Sequence, residues 1–403
     1  MIKKLFLSAS LFLCSMLSVA HEAHLQHPAP GMSAIDVAFD SKGNLWRVSV
    51  RDGYVWVDKS ADSGKTFSTP IKVNSSAQKI GSNNEARPDI ALDADNRIYL
   101  SWTQNLNTRF AGYIWFARSI DSGKSFEKPY IVHQDRAEIT HAFNALNVSP
   151  RGEITVSWID KRDAIQAKKQ AKKYEGAAIY YAVSDNHGES FAVEKKLADS
   201  SCECCRIVTA NKPDGTTAVL WRHVFEGSER DHNIAEIPKR GAKPELHRAT
   251  FGHWKIDGCP HHGGAMASGA KGNEWWGYHL AYFDGNDVKP GLYYSRMDGV
   301  AWASSPAKKF GNHQNQAGRP AILSLDKVNA EPVWLVWREL EDKHYKIVGM
   351  YSEDGGRSWG EPKQLASTTD KADYPILLAK DNQAYLLWNT SKDGLKVLPL
   401  GKP

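Results

Sequence analysis

The chain has 403 residues, of which 41% are hydrophobic, 10% aromatic and 24% charged. Its low mean hydropathy excludes a polytopic membrane protein, and its aromatic content argues against disorder. Lys and Arg exceed Asp and Glu by only five, two of those lysines in a segment that reads as a leader, so no nucleic-acid partner is expected. Fourteen Trp and five Cys are the figures that need an account.

Residues 1–20 read as a signal peptide. Lys3 and Lys4 form a short basic start, Leu5 to Leu17 is an apolar run too short to span a bilayer, and Ser18-Val19-Ala20 offers the small residues of a cleavage site. Cys14 follows Leu13 rather than the small residue a lipoprotein site wants, so a periplasmic or secreted protein is expected, with no membrane span. Residues 21–32 form a His-rich segment with His21, His24, His27 and Met32, and a free terminal amine beside a histidine can chelate copper(II).

From residue 33 onward one pattern repeats: an apolar run, a turn, an alternating apolar strand and a terminal aromatic. In chain order it reads AIDVAFDSKGNLWRVS, RPDIALDADNRIYLSW, FNALNVSPRGEITVSW, RIVTANKPDGTTAVLW, HHGGAMASGAKGNEWWGY, PAILSLDKVNAEPVWLVW and YPILLAKDNQAYLLW. The copies end at positions 49, 102, 158, 221, 278, 337 and 388, and period-2 alternation around a Gly, Asn or Asp turn marks each as a hairpin. A second motif follows most copies at fixed phase: SADSGKTF from Ser60, SIDSGKSF from Ser119, SDNHGESF from Ser184, SEDGGRSW from Ser352, and a degenerate SRMDGVAW from Ser295. Glycine supplies a positive φ, Ser and Asp bond the turn's own amides, and the aromatic is expected to pack under the next strand. Two hairpins per repeat make a four-stranded blade, and radial repetition of blades makes a β-propeller. The expectation is an all-β propeller, seven blades favoured and six the alternative, occupying 33–403 as one domain. The seventh copy has room for only three strands, and a fourth is expected from residues after His21. The basic run KKQAKKY from Lys168 reads as a solvated insertion loop.

Through its Asp-box (BNR) repeats, which cover nearly the whole mature chain, the sequence resembles the sialidase superfamily. The resemblance implies a six-bladed propeller and an exo-acting glycosidase in which three arginines bind a sugar carboxylate and a tyrosine acts as nucleophile, assisted by acidic residues. Arg87, Arg206 and Arg319, before the apolar runs of three blades, match the arginines; Tyr374, which opens the last copy, matches the tyrosine; Glu339 is a possible partner. The family's Arg-Ile-Pro signature is absent, with Arg87-Pro88-Asp89 only an echo of it.

The propeller geometry makes a second prediction. Residues preceding each first strand converge on one axial mouth. Cys202, Cys204 and Cys205 stand at such a position in one blade, and Cys259, His261 and His262 at the equivalent position in the next. Thiolate and imidazole are ligands for soft and borderline metals, so copper is the expected cofactor, with zinc the alternative. Met32 and Met266 could add a thioether. Two disulfides, or a redox-active pair, are the competing readings of four cysteines in an oxidising compartment. The expected partners are a metal ion and either a glycan or a protein, with the chain a monomer.

Overall fold

A computed structural model describes residues 34–402 apart from 84, 240–241, 270–275 and 328–329. The signal peptide, the His-rich segment with His21, His24, His27 and Met32, and Trp275 lie outside the described residues. Each repeated hairpin is present as such. Asp36–Phe39 pairs with Leu45–Arg51, Asp89–Leu92 with Ile98–Asn105, and Ile376–Lys380 with Gln383–Thr390, all antiparallel. Seven antiparallel sheets result, within 36–72, 89–131, 141–201, 208–248, 265–310, 318–368 and 376–400; six have four strands and the last has three. The fourth strand expected for the last blade falls among residues that are not described.

The innermost strand of every blade packs against that of the next, and Asp36–Phe39 touches both Asp89–Leu92 and Ile376–Lys380, which closes the ring at seven. The core is not central but divided among the junctions: seven clusters of buried apolar side chains each join two neighbouring blades. Trp102, Trp158, Trp221, Trp337 and Trp388, which end five of the hairpins, are among the largest fully buried side chains. Their indole N–H groups remain satisfied; Trp158 donates to Asp160 (2.9 Å) and Trp337 to Glu339 (2.7 Å).

The Ser-x-Asp-x-Gly turns are stitched as expected within themselves. Ser119 Oγ donates to Asp121 (2.8 Å) and accepts from the Gly123 amide (2.8 Å), and Asp121 accepts from Ser125 Oγ (2.6 Å). In the degenerate copy Asp298 takes the carboxylate role, bonding the amide of Val300 (2.8 Å). The aromatic ring goes elsewhere than expected. Phe67, Phe126, Phe191 and Trp359 pack into the junction with the preceding blade rather than under the next strand. The glycine is fixed by that same neighbour: at Gly123, φ +78°, a Cβ would lie 2.3 Å from the Trp46 ring. Each turn is therefore a clamp on the blade before it.

The basic run also differs from expectation. Its first residues belong to a helix, Arg162–Lys169, with Asp163 in the first turn and Lys168 and Lys169 in the last, an order that suits the helix dipole. Arg162 anchors it through Asp160 (2.8 Å) and Glu194 (3.0 Å).

Candidate functional site

The first site is the thiol cluster. The strand Lys195–Ser201 delivers the chain to Cys202, whose amide donates to the Arg222 carbonyl (2.8 Å) and so pins the segment to the hairpin strand Thr217–Arg222. Cys202, Cys204 and Cys205 are buried, Cys259 is exposed, and all four are free. Cys202 Sγ lies 3.1 Å from that of Cys205 and 3.7 Å from that of Cys204. The donor atoms form two triplets, Cys202/Cys204/Cys205 and Cys204/Cys259/His261, within each of which all atoms lie within 4.8 Å of one another. Cys204 belongs to both. His262 belongs to neither: its ring stacks on Phe283 at 4.1 Å, and burial pushes its pKa down to about 3. Met266 packs instead between blades four and five. Around the cluster the backbone is held in an uncommon region: Phe143, which packs against the sulfurs, and His261 have φ of 59° and 51° without being glycine.

Arg222 supplies the local field. Only 2% exposed, it donates through Nε and Nη2 to the His262 carbonyl (3.0 and 2.8 Å), through Nη2 to the Phe283 carbonyl (2.7 Å), and to the Arg230 carbonyl. Among the described residues it has no carboxylate at ion-pair distance. Hydrogen bonds from Cys204 and Cys205 hold the Cys202 thiol well below its ordinary range, and the Arg222 charge acts in the same direction. A bond from Cys204 likewise lowers Cys259, while Cys204, the donor to its three neighbours, is raised. Burial raises Cys205.

The second site is the axial cavity, about 350 Å3, lined by Arg87, Arg206 and Tyr374 together with Asp36, Asp89 and Met266. Arg319 sits behind its wall, ion-paired with Glu85, its guanidinium 4.7 Å from the centroid of the Tyr374 ring. The four residues named from the sequence as a glycosidase set are thus neighbours. Two of the arginines carry a carboxylate already, Arg87 through Asp373 (3.0 Å) and Arg319 through Glu85. Arg206 bonds the carbonyls of Gly264 (3.2 Å) and Pro320 (3.3 Å), and burial pushes its pKa down to about 10. Tyr374 OH accepts from Arg338 (3.2 Å), whose guanidinium also covers the ring face at 4.1 Å. Glu339 is held by the Trp337 indole and the Asn312 amide (2.8 Å).

Sequence reasoning missed several residues here. Asp36 and Asp89 open the innermost strands of the first two blades, and burial raises both carboxyls, Asp89 well above the usual range. They hold equivalent positions in AIDVAF and RPDIAL, which is the signal that could have found them. Arg222 and Arg338 each follow a hairpin-ending tryptophan, and that repeated Trp-Arg pair was legible too.

No protein-family model matches the chain. No curated protein matches it either. Solved structures do. One is a PL25 ulvan lyase bound to a GlcA(1-4)Rha3S saccharide, at 11% identity and a TM-score of 0.54, covering 90% of this chain and 91% of that one. Another is an α-L-arabinofuranosidase from Fusarium graminearum in complex with an iminosugar inhibitor, at 12% identity and a TM-score of 0.51, covering 79% and 91%. A Hadza microbial sialidase aligns at 12% identity and a TM-score of 0.49, over 89% of this chain and 73% of that one. The chain is an all-β, seven-bladed propeller, a fold it shares with that arabinofuranosidase and that ulvan lyase.

Proposed function

We propose that this chain is an exported propeller that binds a soft metal, copper in the cuprous state, through the thiol cluster at its axial mouth. The observation that carries the reading is the pair of sulfur-rich donor triplets, preassembled over a buried guanidinium. Soft thiolates select copper(I). Three donors per group suit it better than zinc, whose structural sites take four. Cys202, Cys204, Cys205, Cys259 and His261 are the ligands, and His262 supports them through its carbonyl bond to Arg222. The leader-like residues 1–20 support a periplasmic or secreted location. Protein purified without oxygen is expected to retain about one equivalent or more of copper, and the Cys204→Ser/Cys205→Ser double variant to lose it. Metal-free wild-type protein without titratable thiols would overturn the reading in favour of disulfides.

A second reading, an exo-acting glycosidase, is favoured by the convergence of Arg87, Arg206, Arg319 and Tyr374 beside the raised Asp89 carboxyl. It expects release of sugar from a fluorogenic sialic acid glycoside, abolished by Tyr374→Phe. An absence of turnover on any nonulosonic-acid glycoside would dispose of it.

A further inference from the structure

We infer that the cluster holds two cuprous ions joined through the Cys204 thiolate, an inference that rests on the soft-metal reading above. With metal–sulfur bonds of about 2.3 Å, two sulfurs on one ion stand no more than about 4.6 Å apart. Cys204, Cys259 and His261 lie within 4.8 Å of one another, close to that span, and so do Cys202, Cys204 and Cys205, but the five donors do not form one group among the described residues. One ion therefore leaves either the inner or the outer triplet incomplete. Two ions use every donor, and a thiolate has the lone pairs to serve both.

Charge balance points the same way. Once deprotonated, the four thiolates, three of them buried, carry four negative charges; one cuprous ion leaves three of these and two ions leave two, the smaller charge to hold beside the Arg222 guanidinium. Glu203, between the cysteines, is already neutralised by Lys161. The two positions differ in access. Cys202, Cys204 and Cys205 are buried, whereas the outer triplet reaches the surface through exposed Cys259 and half-buried His261. The outer ion exchanges with a donor or acceptor in solution; the inner ion is retained, and the shared sulfur is the step between them.

The test is an anaerobic titration of reduced, metal-free full-length protein with copper(I) buffered by a chromophoric chelator. Wild type is expected to bind about two equivalents, with the outer-site variant Cys259→Ser/His261→Ala binding about one. Cys259 is exposed, so this variant keeps the fold, which a thermal melt verifies. Cys204→Ser is expected to weaken both steps at least about tenfold, the scale of a lost ligand or its support. X-ray absorption of the two-copper form is expected to contain a copper–copper scattering shell. One equivalent in wild type, or two without that shell, overturns the bridged pair and leaves the metal reading intact. No binding by wild type overturns the metal reading itself.

Discussion

Arg222→Met is expected to loosen both the fold and the thiol cluster. The substitution keeps most of the volume but strips the donors from three part-buried carbonyls, those of His262, Phe283 and Arg230. A buried group left without its partner costs about 1–3 kcal/mol, so a loss on the order of 3–5 kcal/mol is expected in denaturant unfolding. The same change removes the cation that helps hold Cys202 low, so thiolate formation shifts to higher pH. Alkylation rate against pH reads the second effect independently of the first. Arg222→Lys keeps the charge and loses the planar fork, so it should restore the pH profile more than the stability. An Arg222→Met protein with wild-type unfolding and an unmoved alkylation profile would refute the role given to this residue.

Acid weakens the fold through histidines that must stay neutral. His133 is fully buried, its Nε2 accepts the Ile114 amide (3.1 Å), and its Nδ1 therefore carries the proton toward the Asp135 carbonyl (2.6 Å). His223 Nδ1 accepts the Trp221 indole N–H (3.3 Å). Both rings must be neutral to make these bonds. Burial, followed by the His141 ring in one case and Arg248 in the other, pushes them down to about 3 and about 4. The unfolded chain protonates them below their ordinary value near 6.5, so it binds more protons than the fold does. Stability is therefore full above that pH and falls as pH drops through the window toward 4 and 3. By pH 5 the loss is on the order of 2 kcal/mol for each histidine. The raised carboxyls of Asp36, Asp89 and Asp284 act with the opposite sign, which makes the variant comparison decisive. Melting temperatures between pH 7.5 and 5 should fall less steeply in His133→Gln than in wild type; parallel slopes would refute the assignment.

The propeller was legible because its evidence is redundant. Seven hairpins recurring at similar spacing, five of them ending in tryptophan, leave little freedom for another architecture. Even the three strands that the C-terminal stretch gives the last blade could be read from its shortness after Asp373. What failed was direction and distance. The box aromatic has no sequence mark telling whether it faces the next strand or the preceding blade, because both are apolar. That Cys202 to Arg206 and Cys259 to His262 meet could be read from the blade phase alone. Phase gives no ångströms, however, so neither the division into two triplets nor the departure of His262 to Phe283 could be read. Arg87 and Arg206 line the axial cavity and Arg319 stands behind its wall, but the partners Glu85 and Asp373 lie in other blades, beyond the reach of any local pattern.

Ring closure also sets a timetable. Arg87 of the second blade grips Asp373, 286 positions later in the chain, beside the carbonyl of Ile35. A chain emerging from its N-terminus has most of its hairpins, and all four thiols, well before the residue that locks the circle. Until then the first blade's apolar face, with Ile35, Val37 and Leu45, waits for Leu387 and Leu395. Closure of so distant a contact is therefore expected to be the slow, aggregation-exposed step of its folding.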